Sequence, residues 1–173
     1  MTVFVGLLRA INVGGTGKLP MKELVELCQA AGFKNVKTYI QSGNVLFETS
    51  LSEAKAQVKL QRALTAKLGK ETGVTLRTPE ALEAALAHNP FNKQPPSRVI
   101  VFFLNEALAR DALSKVVAPT GEELKLRGRE VFVYYPTGQG VSKLKLPFAK
   151  QGTGRNINTV TKLAEMARAL NAP

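Results

Sequence analysis

An α+β fold is predicted for this chain of 173 residues by three observations. Apolar runs rich in Val and Phe, such as "VFVGLL" near the start and "RVIVFFL" at its middle, have strand chemistry. Stretches such as "PMKELVELCQAAGF" instead space their apolar residues for one face of a helix. The two kinds interleave, and over residues 1–78 their order is β-α-β-β-α-β. That order is the split unit of a ferredoxin-like fold. Residues 79–173 are expected to form a second α+β half ending in basic helices. The architecture expected is two ferredoxin-like halves, each a small antiparallel sheet faced by helices.

Each element has its own local reason. Residues 3–9 read as a buried strand, and "NVGGTGKLP" follows as a glycine-rich loop. Pro20 suits a first helical position, where its missing N–H costs nothing. Met21, Leu24, Val25, Leu27, Cys28 and Ala31 then follow helical spacing, and Gly32 ends it. "NVKTYI" and "VLFE" are strands joined by a Ser-Gly-Asn turn. Ser52 opens a long helix to Leu68, with Val58, Leu60 and Leu64 among its apolar positions, and "GVTLRT" closes the first half as a strand. The second half begins with a helix capped by Thr78-Pro79. The strand "RVIVFFL", a helix over "NEALARDALSKVV" and a hairpin turning near Gly128 come next. A basic helix over "VSKLKLPFAKQ", a loop "GTGRN" and a last amphipathic helix "INTVTKLAEMARAL" complete the chain. Without its flanking helices this half reads β-α-β-β-α, related to the first but with no visible sequence repeat.

Composition narrows the function classes. No apolar run approaches the roughly 18 residues that span a bilayer, so no membrane partner is expected. The lone Cys28 cannot form an internal disulfide, which suits a cytoplasmic protein. The net charge of +11 is uneven: residues 1–78 carry 11 basic against 5 acidic groups, and residues 141–173 carry 6 against 1. Such a balance favours anionic partners, either a small anionic molecule or nucleic acid. Stacking of bases is poorly provided for, because Trp is absent and Tyr39, Phe47, Tyr134 and Tyr135 alternate with core residues.

Four polar segments stand apart: residues 9–18, 41–44, 136–145 and 152–158. They hold eight of the fourteen glycines, whose backbone N–H groups can cradle an anion. From them the candidate ligand-binding set is Arg9, Asn12, Gly14, Gly15, Lys18, Ser42, Asn44, Ser142, Lys143, Arg155 and Asn156. Arginine and lysine would neutralise charge, and Ser and Asn would orient the ligand. The competing reading makes each glycine a turn and each Asn or Thr a helix cap. A Walker A loop fails, since Asn12 replaces its first glycine and Leu19 its hydroxyl residue. No catalytic residue is assigned. His88 is the sole histidine and reads as a helix terminator, and none of the four segments contains a carboxylate. Zinc is excluded by one Cys and one His, and neither a metal nor a cofactor is expected.

The segments "LLRAINVGGTGKLPM", "TYIQSGNVLF", "NPF", "GQGVSKLKL" and "TGRNINTVTKLAEM" together resemble the domain of unknown function 1697 family of bacterial proteins. The resemblance implies the two ferredoxin-like halves already read from the residues, and no established activity. This chain has Ala10 where similar members carry Gly, and Ile157 where they carry Trp. A ligand that stacked on that aromatic would bind this protein less well. In a flat β-α-β-β-α-β sheet the turn at 41–44 is expected at the edge opposite the glycine loop, and so to meet a loop of the second half. An enzyme acting on a phosphorylated substrate, and non-specific nucleic-acid binding, remain alternatives to anion binding.

Overall fold

The computed structural model describes residues 1–9, 19–39 and 43–171. The chain forms two compact units, residues 1–82 with 163–173, and residues 83–162. Each contains one four-stranded antiparallel sheet.

In the first unit, β1 (Thr2–Leu8), α1 (Met21–Ala30), β2 (Lys34–Tyr39), β3 (Asn44–Thr49), α2 (Glu53–Leu68) and β4 (Val74–Arg77) follow in that order. The sheet order is β2-β3-β1-β4, the ferredoxin-like arrangement. Alternation along the strands turns Phe4, Leu8, Val45, Phe47, Val74 and Leu76 toward one face. There they meet Leu24 and Cys28 of α1 and Ala56, Leu60 and Leu64 of α2. Phe33 and Phe47 stack with ring centroids 4.2 Å apart. Ser52 caps α2 by accepting from the Lys55 N–H, and Gly69 ends it in the left-handed region at φ 70°. Val58, an apolar position of the sequence pattern, lies on the outer side of α2 and is 44% exposed.

The second unit begins within α3 (Pro79–Ala87) and continues with β5 (Val99–Leu104), β6 (Glu123–Arg127), β7 (Glu130–Tyr134), β8 (Gly152–Asn156) and the start of α4 (Ile157–Asn171). Its sheet order, β6-β7-β5-β8, repeats that of the first sheet. The β6–β7 hairpin turns at Gly128 with φ 58°, as a two-residue loop requires. Ile100, Leu104, Val131, Val133, Tyr135 and Phe148 make the core of one face.

Three expectations for this unit are corrected. No α-helix forms over residues 105–117, where isolated turns such as Ala112 N–H to Ala109 O (3.0 Å) replace a continuous ladder. Asn105, Asp111, Ser114, Val116 and Val117 are weak helix formers, and the Ser114 hydroxyl donates to the Asp111 carbonyl at 2.7 Å. Nor does "VSKLKLPFAKQ" form an α-helix. It has 3-10 turns at Gln139–Val141 and Ala149–Gln151 with an extended run between them. Pro147 lacks the N–H a helix interior needs, and exposure alternates with period two: Lys143 and Lys145 out, Leu144 and Leu146 half-buried. Third, "GTGRN" is not a loop but strand β8, paired with β5 from Leu104↔Gly152 to Ile100↔Asn156.

Candidate functional site

The predicted residues fall into two groups, one in each unit. Asn12, Gly14, Gly15, Lys18 and Ser42 lie outside the described residues; the roots of their loops do not. β1 and β3 are antiparallel neighbours, so the end of β1 lies beside the start of β3, with Leu7 opposite Asn44. The Leu8 N–H donates to the Gly43 carbonyl at 2.9 Å, and the Arg9 N–H donates to the Gly73 carbonyl at 2.9 Å. The glycine-rich loop after β1 and the β2–β3 turn therefore spring from the same end of one sheet. This corrects the expectation that the turn sits at the opposite edge. β1 and β3 are the two central strands, and β3 begins beside the point where β1 ends.

Arg9 is half-buried at this junction. Its guanidinium lies so close over Gly73 that a Cβ there would stand 2.8 Å from Cζ and 2.9 Å from Nη2. Gly43 takes φ 84°, a left-handed turn conformation that glycine adopts without strain. Asn44 is fully buried, and its side-chain amide donates to the Tyr39 carbonyl at 2.9 Å across the turn. It holds the two strands of the hairpin together at their closed end.

In the second unit, Asn156 accepts the Thr159 N–H at 2.9 Å and caps α4. Arg155 is buried on β8, donating to Thr153 Oγ1 at 3.0 Å and to the Gly154 carbonyl at 2.9 Å. Burial pulls its guanidinium down to about 10. Gly152 is required by close packing on β5, since a Cβ there would fall 2.0 Å from the Phe103 carbonyl oxygen, while a Cβ on Gly154 would press on the Phe102 and Ile100 side chains at 3.0–3.1 Å.

Ser142 is tied to a carboxylate that the spacing of the polar segments did not reveal. Its hydroxyl donates to Glu122 Oε1 at 2.7 Å and accepts the Leu144 N–H at 3.1 Å. Glu122 also accepts from the Thr120 N–H at 3.0 Å and from the Thr120 hydroxyl. Donation by Thr120 and then by Ser142 holds the Glu122 carboxyl down to about 2. Glu122 lies 20 positions from Ser142 in sequence, and only the β6 hairpin brings the two together.

Lys143 is exposed and lines a groove of 420 Å³ with Lys115 and Lys145. A larger cleft, of 630 Å³, lies between the end of α3 and the β6–β7 hairpin, and His88, Arg127 and Glu130 share it over a floor of Phe132. Among the described residues no group of three His, Cys, Asp or Glu could hold a metal ion. Nor is any described helix long and apolar enough to cross a membrane.

None of the curated proteins compared matches the chain. A solved structure does: a conserved bacterial protein, SP0830, from Streptococcus pneumoniae. It shares 28% sequence identity and a TM-score of 0.80, over 96% of this chain and 98% of the other. A family model described as protein of unknown function (DUF1697) matches residues 1–132, and the chain belongs to that family.

Proposed function

We propose that the protein binds a phosphate-bearing or other anionic ligand at the end of the first sheet from which the loop after β1 and the β2–β3 turn spring, beside the segment before β4. The observation that carries this reading is the convergence of Leu8 with Gly43 and of Arg9 with Gly73, each at 2.9 Å. The roots of two glycine-containing polar segments thus share one end of the sheet, where the Arg9 guanidinium lies over Gly73. Arg9 supplies charge and a planar fork for oxyanion pairs. Asn12, Gly14, Gly15, Lys18 and Ser42 supply the backbone and side-chain donors of the two loops, and Asn44 shapes the turn.

Calorimetric titration with inorganic pyrophosphate and with ATP tests the reading. Arg9→Ala and Lys18→Ala are each expected to weaken binding by about tenfold, as loss of a charge-assisted contact would. A melting temperature unmoved by millimolar nucleotides, phosphorylated metabolites and oligonucleotides would overturn it. A second reading, acid–base catalysis on an anionic substrate, is favoured by the shared cleft of His88, Glu130 and Arg127. Turnover abolished by both His88→Gln and Glu130→Gln would favour that reading over simple binding.

A further inference from the structure

The groove beside Lys143 combines a basic and apolar lining with two separate chain segments and a tie between them. One wall is the segment from Lys115 to Pro119, and the other runs from Lys143 to Pro147. Period-two alternation in "KLKL" sends Lys143 and Lys145 to the same side, while Leu144 and Leu146 turn toward the β-sheet core. Lys115 faces them from the other wall. Three ammonium groups thus border 420 Å³ of space that is otherwise lined by Val117, Pro119, Leu146 and Pro147, with no carboxylate among them.

Compensated charge marks two of the other candidates. Between α1 and α2, Lys67 pairs with Glu23 at 3.6 Å, and Glu26 lines the same space. The cleft at His88 mixes Arg127 with Glu130. The basic patch at Lys55, Lys59 and Arg62 is carried by α2 with only Leu51 beside it, so it has a single wall.

A tie closes one end of the lysine groove. Thr120, next after the first wall, and Ser142, next before the second, both bond to the Glu122 carboxylate. The walls are therefore held at a set distance with no ligand present, which lowers the ordering cost of binding. Val117 remains 76% exposed within this frame. Lysines alone would be a solvated surface; an apolar floor alone would be a packing defect. Together they match a molecule with a multiply charged head and a hydrocarbon tail.

We propose that this groove binds the phosphate or diphosphate ester of a short hydrocarbon, its head among Lys115, Lys143 and Lys145 and its tail against Val117, Pro119, Leu146 and Pro147. Three cations exceed what a single carboxylate uses and suit a head of two or three negative charges. The volume is in the range of small-molecule sites.

The test is titration of the full chain with n-octyl phosphate below its micellar concentration, followed by amide chemical shifts. Saturable shifts are expected in residues 115–119 and 143–147. Inorganic pyrophosphate should bind these segments at least about tenfold more weakly, since it cannot use the apolar walls. Lys115→Ala, Lys143→Ala and Lys145→Ala should each weaken octyl phosphate about three- to tenfold. Val117→Asp should weaken it without altering the fold, whereas the exposed Lys150→Ala should leave it unchanged. The proposal is overturned by absence of saturable shifts in the two segments, or by pyrophosphate binding as tightly as octyl phosphate. Binding to anionic phospholipid vesicles without any to free octyl phosphate would overturn it equally.

Discussion

Arg77 and Arg155 occupy the same register position in two separate sheets, Arg77 opposite Val5 on β1 and Arg155 opposite Val101 on β5. Each donates from Nη1 to the carbonyl oxygen of the residue before it, at 2.9 Å in both cases. Each follows a buried threonine two positions earlier, Thr75 and Thr153. β4 and β8 hold the same place in identical strand orders, so the correspondence is topological. The short pattern Thr-x-Arg is the trace of two like halves in a chain whose sequence shows no repeat.

Because both guanidiniums are buried, a lysine at either position should not substitute for the arginine. The shorter lysine stem does not bring its ammonium to the place of Nη1, the single nitrogen from which Arg155 donates to both Thr153 Oγ1 and the Gly154 carbonyl. Arg155→Lys and Arg77→Lys are each expected to cost about 1–3 kcal/mol in urea unfolding. A pair of losses within a few tenths of a kcal/mol of zero would mean that neither fork is structural.

The carboxylate of Glu122 sets an acid limit. Its carboxyl titrates at about 2 in the folded protein, below the ordinary 4.5, because Thr120 and then Ser142 donate to the charged form. A depressed folded value means that its stabilisation is complete above the unfolded value and is lost as pH falls through the window from 4.5 to about 2. Glu122→Gln should therefore lower the melting temperature at pH 7, and the gap to the natural protein should narrow steadily toward pH 2. Ser142→Ala should reproduce part of the effect. A gap that stayed constant from pH 7 to pH 3 and below would show that the carboxylate contributes packing and not charge.

The first half was legible because its signals are local and agree: period-two runs, a helical stripe ended by Gly32, and Ser52 opening a helix to Leu68. In the second half two signals conflicted. "VSKLKLPFAKQ" has helix-forming Lys and Leu, yet its Lys-Leu alternation is that of an extended chain, and Pro147 decides the matter. β8 was hidden because "GTGRN" has the composition of a turn. Gly152 answers to the backbone of β5 and Gly154 to its side chains, a partner about fifty positions away. Separation in sequence likewise concealed the Glu122–Ser142 bond, 20 positions apart, and the nearness of Leu8 to Gly43. Caps such as Asn156 could be read from sequence; neighbours made by strand register could not.

Gly152 and Gly140 should respond oppositely to alanine. At Gly152 a Cβ would stand 2.0 Å from the Phe103 carbonyl oxygen and 2.9 Å from its carbon, backbone atoms that cannot move without opening the β5–β8 ladder. Gly152→Ala is expected to cost at least about 3 kcal/mol, in the range of severe strain and overpacking. At Gly140 a Cβ would meet nothing within 4 Å. Gly140→Ala should be neutral or stabilising by about 0.4–1 kcal/mol through the unfolded chain. Thermal unfolding of both variants checks the contrast, and equal losses would count against β8 as a paired strand.

Gly73 should act on ligand binding through Arg9. A Cβ at Gly73 would come within 2.8–3.0 Å of Cζ, Nη2 and Nε of Arg9, the far end of a flexible side chain. The backbone at Gly73 is not in the left-handed region, so alanine fits the chain itself. Gly73→Ala should thus move the Arg9 guanidinium off its seat and leave the sheet intact, with a stability change within about 1 kcal/mol. If Arg9 anchors the anion at this end of the sheet, pyrophosphate affinity should fall in Gly73→Ala nearly as far as in Arg9→Ala. Gly73→Ala combined with Arg9→Ala should then be no weaker than Arg9→Ala alone, because both changes remove one contact. Affinity retained in Gly73→Ala but lost in Arg9→Ala would mean that the guanidinium reaches the ligand from another position. Affinity retained in both would remove Arg9 from the site.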